Sequence, residues 1–229
     1  MQGYRNCHIT KWLLVVIFLT TTLILPACAC PATPPTATTI PPTTTIPPTT
    51  TLAPVTFPDA NLETVIHEAI NKPGDPIYTS DFLSLTKLEA GIIGISDLTG
   101  LEYCLNLEEL YLYANNISDI SPLAGLSNLQ VLNLYTNNIS DISALADLSD
   151  LQRVSLENND ISDISPLADL GNLETLWLAG NNISDISALI EYTGLSIGDI
   201  VYFDDNPLSE ESINVFISQL VTRGVIVSY

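Results

Sequence analysis

Asp97, Asp119, Asp141, Asp163 and Asp185 recur every twenty-two residues, the most regular placement of a reactive side chain in this 229-residue sequence. A row of carboxylates suggests a hard cation, but calcium takes six to eight oxygens, whereas each interval supplies one aspartate among serines. Spaced about 5 Å apart in water, such acids repel by less than roughly 1 kcal/mol per pair, so they read as solvated turn residues. No metal is expected. The triplets at Asn116, Asn138 and Asn182 match a glycosylation sequon and read as turn chemistry. Catalysis needs a base, a nucleophile or a metal. His67 has no second histidine or cysteine near it and is placed on the polar, solvated side of a helix. Cys104 stands in the column held by Leu126, Leu148 and Leu170, which predicts a buried apolar thiol. The chain therefore reads as a protein that is no enzyme and carries no cofactor.

Aromatic side chains offer contact in place of turnover. The same interval places Glu109, Tyr111, Tyr113 and Ala114 in equivalent positions to Val131, Asn133, Tyr135 and Thr136. Arg153, Ser155, Glu157 and Asn158 follow, then Thr175, Trp177, Ala179 and Gly180. These columns vary from unit to unit and are predicted to be exposed on one sheet face, with Tyr202 at its end. Of them, Glu109, Tyr111, Tyr113, Asn133, Tyr135, Arg153, Glu157, Trp177 and Tyr202 are the candidate ligand-binding residues. Aromatics and arginine concentrate binding energy at interfaces.

The elements behind those columns follow from the repeat. Units begin at Leu85, Leu107, Leu129, Leu151, Leu173 and Leu195, and "LEELYLYANNISDISPLAGLSN" sets the template. Its "L-x-L" alternates as a strand does, and strands of successive units can pair in parallel about 4.8 Å apart. The remaining leucines and isoleucines turn inward, where neighbouring coils bury what no coil could bury alone. Asn115, Asn137, Asn159 and Asn181 form an inward structural ladder, their amides satisfying backbone groups where the chain leaves the strand. Ser121, Ser143, Ser165 and Ser187 read as N-caps of short helical turns, with Pro122 and Pro166 where no N–H is needed.

This L-x-x-L-x-L-x-x-N-x-I pattern resembles leucine-rich repeats, and the form with "ISDISPL" resembles the internalin type of bacterial surface proteins, over residues 58–229. The resemblance implies an α/β fold: a right-handed leucine-rich-repeat solenoid, parallel strands on the concave face, short helical turns on the convex face, and helical caps at both ends. Terminal units depart from the template. Ile93 replaces the asparagine in the first, and three extra residues delay Val201, Phe203, Asn206 and Leu208 in the last. "PDANLETVIHEAI" predicts a capping helix, as does the segment from Ser209 to Gly224, with a last strand in "VIVSY".

Ahead of the repeats, Arg5 and Lys11 precede an apolar stretch of about fourteen residues, too short to span a bilayer comfortably. "LPAC", Leu25 to Cys28, resembles the lipobox of bacterial lipoproteins, which implies lipidation of Cys28 and anchoring to a membrane. Residues 31–57 are almost all Thr, Pro and Ala, a composition that stays extended and could reach roughly 80 Å. The domain reading is 1–27 signal peptide, 28–57 flexible linker, 58–84 N-terminal cap, 85–208 repeats and 209–229 C-terminal cap. Beyond residue 58 stand 26 acidic side chains against four basic ones, a surface that repels nucleic acid.

The sequence thus predicts an exported, monomeric protein anchored by lipid outside a bacterial cell, which recognises a protein partner or adheres through its concave face. Carbohydrate binding on Tyr111, Tyr135 and Trp177 is the second reading, and a passive envelope protein the third.

Overall fold

The computed structural model describes residues 53–191 and 194–229. Seven three-residue strands form one parallel sheet in strict chain order: β1 Lys87–Glu89, β2 Glu109–Tyr111, β3 Val131–Asn133, β4 Arg153–Ser155, β5 Thr175–Trp177, β6 Ile200–Tyr202 and β7 Ile226–Ser228. From β1 to β5 each residue pairs with the one twenty-two positions on, so that Leu88, Leu110, Leu132, Val154 and Leu176 fall into one inward row. The step to β6 is longer by the three residues anticipated, pairing Thr175 with Ile200. Opposite the sheet, single 3₁₀ turns at Leu101–Tyr103, Ser121–Leu123, Ser143–Leu145 and Ser165–Leu167 lead to a short helix, α2, at Ala188–Glu191.

Between the two faces runs a continuous core. Leu107, Leu110, Leu112, Ile117, Ile120, Leu123 and Leu126 are all buried, and so are their counterparts in the next two coils and, as far as Leu189, in the third. Each such side chain withdrawn from water contributes about 1.5–3 kcal/mol, and every coil needs the next to complete that burial. Cys104 takes the leucine position assigned to it and is fully buried. Burial, then the charge of Glu102, push its thiol pKa up to about 12.

An asparagine ladder closes the turn after each strand. Nδ2 of Asn137 donates to the carbonyls of Leu112 and Leu134, both at 3.0 Å, while its Oδ1 accepts from the Ile117 N–H at 3.0 Å. Asn115, Asn159 and Asn181 repeat the arrangement, and Asn206 continues it in the offset last unit. Immediately before these asparagines, Ala114, Thr136, Asn158, Gly180 and Asp205 adopt positive φ, as does Ile92 in the first coil. The residues at position eight are thus left-handed turn residues and not strand residues.

The serine caps require correction. Ser121, Ser143 and Ser165 are themselves the first residues of their 3₁₀ turns and make no capping bond through the side chain. Asp119, Asp141 and Asp163 cap instead, each accepting the N–H of the serine two positions on at 2.8 Å, and Asp185 does the same for Ser187. An aspartate reaches forward to the N–H at i+2 readily, and here it stands two residues ahead of the turn's first N–H, where the serine does not. The bond to the Ser121 N–H holds the Asp119 carboxyl below the ordinary range, and Ser143 does so for Asp141.

The ends are closed by helices. In α1, Ala60–Ala69, Leu62 and Ile66 are buried against the first coil. Asp59 caps α1 through Oδ1 and fixes it to the repeats through Oδ2, which accepts the Ser96 N–H at 2.8 Å. Packed with it are Phe57 and Phe82, edge to face at 6.2 Å. At the far end, the helix opened by Ser209 contains a π-helical turn, Ser212–Phe216, before α3 at Ile217–Thr222. Fully buried Ser212 donates to the Ser184 carbonyl and accepts the Ile186 N–H, tying this cap to the last regular turn. No described helix is long and apolar enough to cross a membrane.

Candidate recognition surface

Because Leu110, Leu132, Val154 and Leu176 face the core, their neighbours along each strand face the open side of the sheet. Two rows result. Lys87, Glu109, Val131, Arg153, Thr175 and Ile200 lie side by side, and Glu89, Tyr111, Asn133, Ser155, Trp177 and Tyr202 form the second. Tyr111 and Trp177 stand three strands apart, on the order of 14 Å along the sheet. Between them the second row carries only Asn133 and Ser155. A notch of about 190 Å³ opens there, with Tyr111, Asn133, Arg153, Ser155 and Trp177 in its lining.

Its walls are held in place. The Tyr111 hydroxyl donates to Glu109 at 3.1 Å, and the Lys87 ammonium lies 5.1 Å from the centre of the Tyr111 ring. Lys87 also bridges Glu89 at 2.9 Å and Glu109 at 3.4 Å, which raises its own pKa. Burial, followed by the hydrogen bond to Glu109, raises the Tyr111 pKa, so the hydroxyl remains a donor. On the opposite wall Trp177 stacks on Tyr202, ring centres 6.3 Å apart and planes within 3° of parallel. Val131 and Ser155, expected to be exposed, are each only 8 % accessible. Short side chains between tall aromatic neighbours form a floor.

The other predicted residues divide by environment. Tyr135 is 40 % exposed, and its N–H is taken by Asn133 Oδ1 at 3.0 Å. Glu157 accepts from Ser155 Oγ at 3.3 Å. Tyr113 packs down on the preceding coil, where a Cβ on Gly91 would approach its ring to 2.5 Å, so a larger residue there would displace the ring. His67 is half-buried and meets the Lys72 carbonyl through Nδ1, closing the end of α1 instead of facing solvent freely. Among the described residues no group of three or more His, Cys, Asp or Glu side chains could hold a metal ion. Cys28 lies outside the described residues.

A model described as Leucine Rich repeats (2 copies) matches residues 105–147 and 149–191, within the stretch that builds β2 to β5. The chain is a leucine-rich-repeat solenoid. An internalin (inlF) of Listeria monocytogenes resembles it at 37 % identity over 72 % of this chain, with a TM-score of 0.65. The solenoid spans 47 % of that internalin's length. Internalin C2 (inlC2) of the same organism is 30 % identical over 75 % of this chain and 93 % of its own, with a TM-score of 0.42. No curated protein matches the solenoid.

What sequence reasoning missed lies mainly in side-chain pairing. Lys87 holds position three of the first unit but falls outside the candidate set, which begins at the second unit, yet it braces Tyr111. A signal for the left-handed turns was present, since Asn158, Gly180 and Asp205 are types that tolerate positive φ.

Proposed function

We propose that this solenoid is a recognition module that binds a protein partner through the open face of its sheet, exported and anchored by lipid at Cys28 to the outside of the bacterial cell membrane or the envelope surface. The observation that carries the reading is the pair of braced aromatic walls, Tyr111 with Lys87 and Trp177 with Tyr202, rising from a sheet whose inward face is committed to packing. Half-exposed aromatics already fixed in place lose little entropy on binding, a property of interface hot spots. Structural similarity to an internalin supports a binding protein and not an enzyme.

In this reading residues 1–27 are removed, 28–57 act as a spacer, 58–84 and 209–229 cap the array, and 85–208 supply the surface. Affinity capture by the purified full chain, with a Tyr111→Ala/Trp177→Ala variant beside it, tests the recognition. A protein retained by the wild type and lost by the variant supports it; equal retention by both refutes it. Incorporation of labelled fatty acid that stops with Cys28→Ser tests the anchor.

Carbohydrate binding has one observation in its favour, the parallel Trp177–Tyr202 pair, which offers a flat platform to a sugar ring. Glycan arrays separate the two readings. Sugar binding that vanishes with Trp177→Ala, without any captured protein, favours the platform.

A further inference from the structure

Four basic side chains lie among the described residues. Lys72 is bonded to Asp81 at 2.8 Å, Lys87 to Glu89 and Glu109, and Arg223 to the Ile190 carbonyl. Arg153 alone of the four has no hydrogen bond or ion pair within the described residues. It stands on the central strand of the sheet and lines the notch between Tyr111 and Trp177. Two acids of the same open face are engaged elsewhere, since Glu157 accepts from Ser155 and Glu109 from Tyr111 and Lys87.

A second donor faces the same space. Asn133 spends its Oδ1 on the Tyr135 N–H, which leaves Nδ2 as the polar group it can offer the notch. Donors without acceptors, at the centre of an aromatic-walled recess sized for one side chain, define the missing group. A planar acceptor carrying negative charge suits both donors, although Arg153 is exposed and hydrated in the free protein.

We propose that the notch receives a single carboxylate side chain, aspartate or glutamate, of a protein partner, with the Arg153 guanidinium as a forked donor and Asn133 Nδ2 as a further one. This rests on the protein-recognition reading above. Charge complementarity selects the occupant: a forked guanidinium matches a carboxylate in two parallel hydrogen bonds. The chain's net charge of −20, from 26 acidic residues against six basic ones, disfavours a broadly acidic ligand. The partner therefore presents one acid within a neutral or basic surface.

The test is selection of a phage-displayed library of twelve-residue peptides on the full chain, beside Arg153→Gln, Arg153→Glu and Trp177→Ala. The proposal expects selected peptides to share one Asp or Glu position. Changing that residue to its amide, or Arg153 to Gln, should each weaken binding about tenfold or more, and the two losses should not add. Arg153→Glu should select Lys or Arg at the same position. Peptides that need Trp177 but show no acidic position, or that ignore Arg153→Gln, overturn the carboxylate proposal and leave protein recognition standing. Binding of sialylated or uronic-acid oligosaccharides, with no peptide selected, overturns the protein source. Peptides indifferent to Trp177→Ala overturn both.

Discussion

Trp177 and Tyr202 lie ring against ring on neighbouring strands, centres 6.3 Å apart and 3° from parallel. Their positions pair directly in the sheet although twenty-five residues separate them, because the last unit inserts three residues outside the strand. A double-mutant cycle of Trp177→Ala and Tyr202→Ala should give a coupling of about 0.5–1.5 kcal/mol in urea unfolding. Additive losses would mean that the rings stand independently.

Asn137 is predicted to tolerate no change that keeps its shape but alters its polarity. In Asn137→Asp a carboxylate would face the Leu112 and Leu134 carbonyls that now accept its two N–H groups. The expected loss is about 3 kcal/mol or more, since the oxygen that replaces Nδ2 would meet only acceptors and the buried charge would keep a single donor, the Ile117 N–H. Its exposed neighbour supplies the control, Asn138→Ala costing within about 0.5 kcal/mol. Urea midpoints of the two variants measure the contrast.

Stability should fall in acid partly through Asp59. Burial alone would raise its pKa, but hydrogen bonds from the N–H groups of Ser96, Leu62, Asp97 and Asn61 together outweigh that and lower it. With the folded value below the unfolded one, Asp59 stabilises fully above the ordinary carboxylate range and loses that contribution as pH drops through the folded value. Thermal melting of wild type and Asp59→Asn between pH 7 and pH 2 checks this. The melting-temperature gap should be wide at pH 7 and narrow toward pH 2.

Gly180 should resist side chains. Its φ is +66°, and a Cβ would come 2.5 Å from Asn158 Oδ1. Gly180→Val is expected to cost about 2 kcal/mol or more, whereas Gly125→Ala, with open space around its Cβ, should change stability little. Circular-dichroism melts of both variants distinguish the positions.

Cys104 should be chemically silent in the native protein. A thiol pKa of about 12 leaves roughly one part in 10⁴ as thiolate at pH 8, within a closed core. Iodoacetamide treatment followed by peptide mass spectrometry should leave Cys104 unmodified in buffer and fully modified in 8 M urea, a concentration chosen as about that of complete unfolding.

The repeat itself was legible in the chain. Leucines returning in phase with an inward asparagine dictate stacked coils, since only that arrangement buries every leucine and satisfies the turn carbonyls together. The insertion before β6, the capping helices and the burial of Cys104 could be read in the same way, each being a departure from, or a fit to, one fixed spacing. Periodicity also named Tyr111, Asn133, Arg153 and Trp177 as candidates on one face, because alternation in a strand assigns each residue a side. Tertiary structure alone decided how those side chains pair. That Lys87 braces Tyr111, that Asp119 and not Ser121 caps its turn, and that Arg153 is left without a partner depend on distances of a few ångströms between atoms of different coils. A pattern twenty-two residues long fixes which strand lies beside which, but rotamers and hydrogen bonds are settled by packing among neighbours that differ from coil to coil.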